Sequence, residues 1–460
     1  MSRFAQSADK PRVLLLLPTS TYRTAAFMQA AARLGVYVTV GSEEPSTMTE
    51  LNPTGLVTLD FANSERAAEQ AAEFAAKNPI AAVVPVDDQA TAVGAAICQR
   101  LGLPANSIAS ALAARNKHRM RELLARAGVP QPAFRLGSFA DDLAQLARGV
   151  SFPCVVKPLA LAASKGVIRA NDPGEFVTAV ARLAKILKNE YSALSSQNLD
   201  SERFLVEDFI AGPEVAVEGL LTRGQLRVLA IFDKPDPLDG PYFEETIYVT
   251  PSRRPAAIQQ QIADVTADAC RALGLVHGPV HAELRLKSGG RSQGAGVRGQ
   301  GSSSSAISDQ QSAINDSSTT HHSPLTTHLP VVIEVNPRSI GGLCSRVLRF
   351  GVGLSLEELI IRHALDPDFI PPDREGKAAG VMMVPIPRAG ILRDVRGLDS
   401  AGAVAGIESV TISAHSGQRL VPLPEGSIYL GFIFARGRSP DAVEAALREA
   451  HARLEFVIDS

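Results

Sequence analysis

Apolar positions change their spacing along the chain, and the spacing predicts which elements form. Residues 12–17 (RVLLLL) are almost continuously apolar, as in a strand buried on both faces of a parallel sheet. Helical spacing follows at 24–34, a short apolar run at 36–40, helical spacing at 67–76, a second buried-strand pattern at 80–86 and a helix at 90–101. Such β-α-β alternation predicts a small open parallel sheet with helices on its faces. Ligands of these sheets gather at the C-terminal strand ends. Thr19, Ser20 and Tyr22 follow the first strand there, and Asp87 and Asp88 follow the strand at 80–86.

Further along, NKHRMRELLARA at 116–127 reads as an amphipathic helix. Met120, Leu123, Leu124 and Ala127 form its apolar stripe, the charges of Lys117, His118, Arg119 and Arg121 could simply be its wet face, and Gly128 and Pro130 stop it. CVVKP at 154–158 is a short strand projecting Lys157, and the small-residue loop after it contains Ser164, Lys165 and Gly166. A loop of this kind between two strands can offer backbone N–H groups to phosphates. Strands are predicted at 204–209, after Glu214 and at 225–232, the last leading to Lys234. The proline- and glycine-bearing stretch at 236–245 is a candidate lid, and 256–273 is a long helix that Gly274 ends.

Two later strands carry the densest chemistry, HAELRL at 281–286 and VVIEVNPR at 331–338. Alternation puts His281, Glu283 and Arg285 on one face, and Val332, Glu334, Asn336 and Arg338 on one face of the other strand. If the two pair antiparallel, Glu283, Glu334 and Asn336 converge into an all-oxygen site suited to Mg²⁺ or Mn²⁺, with Arg338 as a fixed cation beside it. A hard metal site next to arginine is equipment for phosphoryl chemistry.

Composition adjusts this picture in four places. A chain of 460 residues is too long for one core and suggests about three domains. The formal net charge of -2 leaves no basic excess for nucleic acid. No apolar run is long enough for a membrane span or a leader, and the four cysteines have no CxxC spacing, so a cytoplasmic protein with free thiols is expected. Residues 288–330, rich in Gly, Ser, Gln, Thr and His, read as a disordered insertion joining the two metal-type strands. Gly294, Gly296 and Gly299 spell GxGxxG within it, but no helix follows, so a dinucleotide site is not assigned. His321, His322 and His328 lie in the same tract without groups to orient them and are not read as a metal site. From residue 377 onward, short strands and a final helix predict an α+β module.

In this order, NKHRMRELLARAGVP, VVKP with its small-residue loop, VEDFIAGPE, HAELRL and IEVNPR resemble the ATP-grasp superfamily over roughly residues 10–370. The tail, from VMMVPIPRAGILRDVRG to YLGFIFARG, and the segment FDKPDPLDGPYFEETIYVTPS resemble its L-amino acid ligase (dipeptide-forming) branch. The resemblance implies an α/β ATP-grasp fold: an N-terminal open parallel, Rossmann-like sheet, a two-lobed α+β nucleotide-binding core and a C-terminal α+β domain. The expected divisions are 1–110, 111–215 (linker helices and lid), 216–372 (catalytic, with the insertion) and 373–460.

It further implies that Lys117 and Lys157 hold nucleotide phosphates under a loop of Ser164, Lys165 and Gly166. Glu207, Asp208, Phe209 and Ile210 would meet adenine, and Glu214 the ribose. Glu283, Glu334 and Asn336 resemble ligands for two Mg²⁺ or Mn²⁺ ions. Arg338, Lys234 and His281 would serve the chemistry. Arg285, with a structural ion pair as the equal alternative, and Gly341 and Gly342 would meet substrate. The implied activity joins a carboxylate to an amine at the expense of ATP, with amino acids as substrates, no nucleic acid or membrane partner, and a homodimer as the candidate assembly. The alternatives are a carboxylase or purine-pathway enzyme activating bicarbonate or formate, and a nucleotide-binding module without catalysis. No GxxxxGK[ST] occurs, which disfavours a P-loop enzyme.

Overall fold

The computed structural model describes residues 10–19, 21–48, 50–191, 201–288 and 328–459. Ser20, Gly294, Gly296, Gly299, His321 and His322 lie outside the described residues.

Four sheets organise the described chain. At the amino end, Leu56–Thr58, Tyr37–Ser42, Arg12–Leu16 and Ala82–Pro85 lie side by side in that order, all parallel. Val13, Leu14, Leu15 and Leu16 are fully buried, as the continuous apolar run requires of a strand covered on both faces. Helix Thr24–Leu34 ends at Gly35, whose φ of 67° is a left-handed cap that glycine adopts without strain.

A second, antiparallel sheet runs Phe134–Ser138, Arg203–Asp208, Cys154–Lys157, Ile168–Ala170. Helix Pro173–Tyr191 covers it, burying Phe176, Val180, Leu183 and Leu187 against Phe204 and Val206. Each such side chain contributes about 1.5–3 kcal/mol of apolar burial. This is the lobe that carries Lys157 and the small-residue loop.

The largest sheet has eight antiparallel strands, in the order His328–Asn336, Gly278–Ser288, Glu214–Thr222, Gln225–Lys234, Ile247–Thr250, Ala378–Val384, Gly431–Gly437, Ile407–Ile412. Strands from the end of the chain therefore continue the sheet that bears the metal-type residues, joined through the pairing of Thr250 with Ala379. Helix Ala256–Ala272 packs Ile262, Ala269 and Cys270 against the back of that sheet. A separate three-stranded sheet, Arg419–Leu420, Gly390–Arg396, Glu455–Asp459, completes the carboxyl end.

The two strands with the densest chemistry are neighbours. Glu283 lies opposite Glu334, and His281 opposite Asn336. One expectation about them needs correction. Simple alternation places Val332 on the polar face, but the register slips between Glu283 and Leu284, where Leu284 faces Val332. The extra residue is Ile333. This bulge returns Val332 to the apolar face, where it is buried with Val335, Ala282 and Leu284. It also frees the Ile333 carbonyl, which accepts a bond from Arg121 Nη2 at 2.6 Å.

A candidate ATP and metal cleft

The strand ends and loops of these sheets enclose a cleft of about 1250 Å³. Of the site residues that the family resemblance implies, it is lined by Ser164, Lys165, His281, Glu283, Glu334, Asn336, Arg338, Gly341 and Gly342. Tyr22, Asp87, Asp88, Glu245, Tyr248 and Met383 line it as well. The small-residue turn has the backbone shape expected of a loop that shows its N–H groups: Ala163, Ser164 and Gly166 have φ of 53°, 55° and 73°. Gly166 N–H itself donates to Pro424 O at 2.9 Å, and Lys165 is ion-paired with Glu190.

Behind this lining stands a layer of buried ion pairs. Lys157 ends the Cys154–Lys157 strand and donates to Glu207 Oε2 at 2.6 Å, while Arg121 Nε donates to Glu207 Oε1 at 2.6 Å. Arg121 is 1% exposed. The amphipathic pattern allows it a place on the wet helix face, but the structure buries it. It follows Met120 and precedes Leu124 by one turn, so it points inward with the apolar stripe and its charge is answered by Glu207. Burial pushes the Glu207 carboxyl up, but Arg121 and Lys157 outweigh it and hold it at about 2. The side chain of Glu207 is thus engaged with cations, while Asp208, Phe209 and Ile210 continue the chain beyond it. Phe209 packs 6.3 Å from Phe243 and lies under the guanidinium of Arg169, at 4.2 Å.

Lys117 begins its helix beneath the cap of Asn116, donates to Leu161 O at 2.7 Å and pairs with Glu334 at 3.1 Å. On the neighbouring strands Lys234 is surrounded by Glu214 at 2.7 Å, Glu283 at 3.1 Å and Glu245. Ligand atoms of those three carboxylates lie within 4.8 Å of one another, the one such cluster among the described residues. It shares only Glu283 with the set expected from sequence, and Lys234 Nζ contacts all three members. Burial raises the Glu245 carboxyl to about 7, helped by Glu283 and opposed by Lys234. Arg285 is 4% exposed and donates to Glu214 at 2.9 Å, Ile210 O at 2.8 Å and Leu238 O. Of its two readings, the structure gives it the geometry of the ion pair.

His281 is buried between two acids, with Nδ1 3.5 Å from Glu218 and Nε2 3.4 Å from Glu283. Glu218 was not foreseen. It lies on an apolar strand, EVAVEGLLT, is 0% exposed, and accepts Ile340 N–H at 3.0 Å. Arg338 follows Pro337, which ends the strand by removing a donor, and its guanidinium grips Asp88. Only the position of Asp88 after a parallel strand hinted at that contact.

Three segments match known domain families in chain order. Residues 28–105 match the ATP-grasp N-terminal domain, 150–298 the ATP-grasp domain, and 382–459 the L-amino acid ligase C-terminal domain 2. Two of the three are successive ATP-grasp segments, so the chain carries ATP-grasp domain matches over residues 28–105 and 150–298. It is similar along 98% of its length to the uncharacterized protein y4rH of Sinorhizobium fredii, at 23% identity and 84% of that protein. It is 28% identical to the alanine–anticapsin ligase of Bacillus subtilis over 48% of each chain, so this alignment spans about half the length of that curated relative. The crystal structure of an L-amino acid ligase from Bacillus licheniformis superposes over 99% of this chain and all of that one, with a TM-score of 0.75 at 24% identity, which establishes the ATP-grasp fold.

Proposed function

We propose that the protein is an ATP-dependent carboxylate–amine ligase acting on amino acids, forming a dipeptide or related amide through an acyl phosphate. The observation that carries this reading is the cross-strand pair Glu283 and Glu334 facing one cleft with Asn336 and Arg338. The C-terminal domain match favours this branch over bicarbonate- or formate-activating members.

The donor set fits a divalent cation. Glu283, Glu334 and Asn336 supply hard oxygens on adjacent strands, and the two carboxylate side chains are 15% and 24% exposed, open toward the cleft yet shielded. A bound Mg²⁺ would neutralise charge developing on the phosphates. Lys117, Lys157 and the loop of Ser164, Lys165 and Gly166 hold the phosphates, with Glu207 steadying Lys157. Asp208, Phe209 and Ile210 border the adenine. Glu214 retains lone pairs for the ribose hydroxyls beside its bonds to Lys234 and Arg285. A substrate carboxylate attacks the γ-phosphorus and ADP leaves. The neutral amine nitrogen then attacks the acyl carbon, phosphate departs and the nitrogen releases one proton to solvent, with Arg338 facing the oxyanion and His281 and Lys234 supporting it. Gly341 and Gly342 bring backbone close to the substrate. A reducing, cytoplasmic setting accords with four free, buried cysteines.

The test is ADP and phosphate release from ATP and Mg²⁺ with pooled amino acids, followed by identification of the product. Amino-acid-dependent release with an amide product is expected. Release that depends on bicarbonate instead, or nucleotide binding without turnover on any carboxylate, would overturn the assignment.

A further inference from the structure

Arg338 has five N–H donors in a planar fork. Nε and Nη2 donate to the two oxygens of Asp88, each at 3.0 Å, and Nη1 donates to Ser339 O at 3.1 Å. Side-on pairing of this kind fixes the plane of the guanidinium, and it leaves one N–H on Nη1 and one on Nη2 without these partners. Arg338 and Asp88 both line the cleft.

Asp88 comes from a different sheet layer than Arg338. It is the first residue of helix Asp88–Leu101, directly after the strand Ala82–Pro85, where the helix dipole favours a carboxylate. The segment after Arg338 is fastened to the same N-terminal layer twice more. Buried Arg23 donates to Val86 O at 2.7 Å and also to Ser339. Tyr22 Oη accepts Gly342 N–H at 2.6 Å. The run 338–342 is therefore shaped from outside its own sheet.

We propose that Asp88 is a positioning residue: it holds the Arg338 guanidinium side-on so that its remaining Nη1 and Nη2 hydrogens meet the oxygens of the acyl phosphate and of the tetrahedral carbon that follows. This rests on the ligase reading given above. Asp88 donates nothing to the substrate and acts through the arginine. The N-terminal domain thereby contributes to the chemical step as well as to substrate binding.

The full-length protein and its Asp88→Asn, Asp88→Ala and Asp88→Glu variants are assayed for amino-acid-dependent ADP release. Asp88→Asn is expected to lower kcat about 100-fold, while KM for ATP stays within about threefold. Asp88→Glu should recover a substantial part of kcat, because it restores the charge. A second measurement asks about positioning directly. Activity of Arg338→Ala should be partly restored by millimolar guanidinium, and the Asp88→Asn, Arg338→Ala double variant should lose that rescue, because the carboxylate that seats the cation is gone. Wild-type kcat in Asp88→Asn overturns the proposal, as does equal rescue of the single and double variants. Faster turnover in Asp88→Asn also overturns it, since Asp88 would then be restraining Arg338. Absence of amino-acid-dependent ADP release by the wild-type protein is a different result, and it removes the ligase reading together with this inference.

Discussion

The carboxylate of Glu207 accepts bonds from Arg121 and Lys157, both at 2.6 Å, in a site where its side chain is 2% exposed. Replacing it with alanine strands two buried cations, and loss of one partner in a buried pair costs about 3–5 kcal/mol. Glu207→Ala should therefore show a clearly lower denaturant midpoint and weaker nucleotide binding, since Lys157 loses its fixed position. An unchanged midpoint would remove Glu207 from the framework of the site. The same carboxylate sets a pH dependence. Its folded value of about 2 lies below the ordinary 4.5. The stabilisation is thus fully present above about pH 4.5 and is lost as pH falls toward 2. Unfolding midpoints measured between pH 6 and pH 3 should fall for the wild-type protein and flatten in Glu207→Gln. At the cleft itself, Glu334→Ala should lower amino-acid-dependent ADP release by about 100-fold or more while the circular dichroism spectrum is preserved, because it removes a proposed metal ligand that lines the cleft rather than a group that supports packing. Retained turnover would take Glu334 out of the metal set.

Elements with strong periodicity were legible from the chain. The helices Thr24–Leu34 and Ala256–Ala272 and the strand Cys154–Lys157 lie where apolar spacing predicts them. The pairing of Gly278–Ser288 with His328–Asn336 was legible too, because each strand carries an apolar back and a polar front. What alternation cannot reveal is a bulge. Ile333 breaks the period by one residue, and nothing in VVIEVN marks where. The burial of Arg121 was not legible for a related reason. A charged residue beside an apolar stripe points outward unless a distant acid answers it, and the acid is Glu207, 86 residues away. The hairpin also yields a prediction. Ser288 and His328 are register partners, so the strands meet at their open ends and a two-residue turn can join them. Replacing residues 289–327 with Asn-Gly should leave the unfolding temperature and ADP release close to wild type. Insoluble protein from this variant would show that those residues contribute to the fold.

Across the molecule, the site draws on pieces that no local pattern links. Arg338 meets Asp88 from the parallel sheet, and the small-residue loop meets the carboxyl end of the chain. That second meeting is Gly166 N–H on Pro424 O, and in the same lobe Arg182 of the helix Pro173–Tyr191 is bonded to both oxygens of Glu425, at 2.6 and 2.8 Å. Long-range contacts of this sort depend on how sheets stack, and one sequence does not encode them in any spacing. The ion pair is half exposed, with side chains at 39% and 41%. Pairs in that setting contribute roughly 0–1 kcal/mol to stability. Its consequence should therefore appear in motion of the loop rather than in folding. On the proposed reading this lobe covers the phosphates, and moving it away from the carboxyl end requires breaking the Arg182–Glu425 bonds. Glu425→Ala is expected to leave the unfolding midpoint within about 1 kcal/mol of wild type while raising the dissociation rate of ADP severalfold, measured by stopped-flow displacement of a fluorescent analogue. Charge reversal at both positions, Arg182→Glu with Glu425→Arg, should bring the rate back toward wild type, because the contact is re-formed with opposite polarity. An ADP off-rate that ignores all three substitutions would mean that the carboxyl end does not govern access to the cleft.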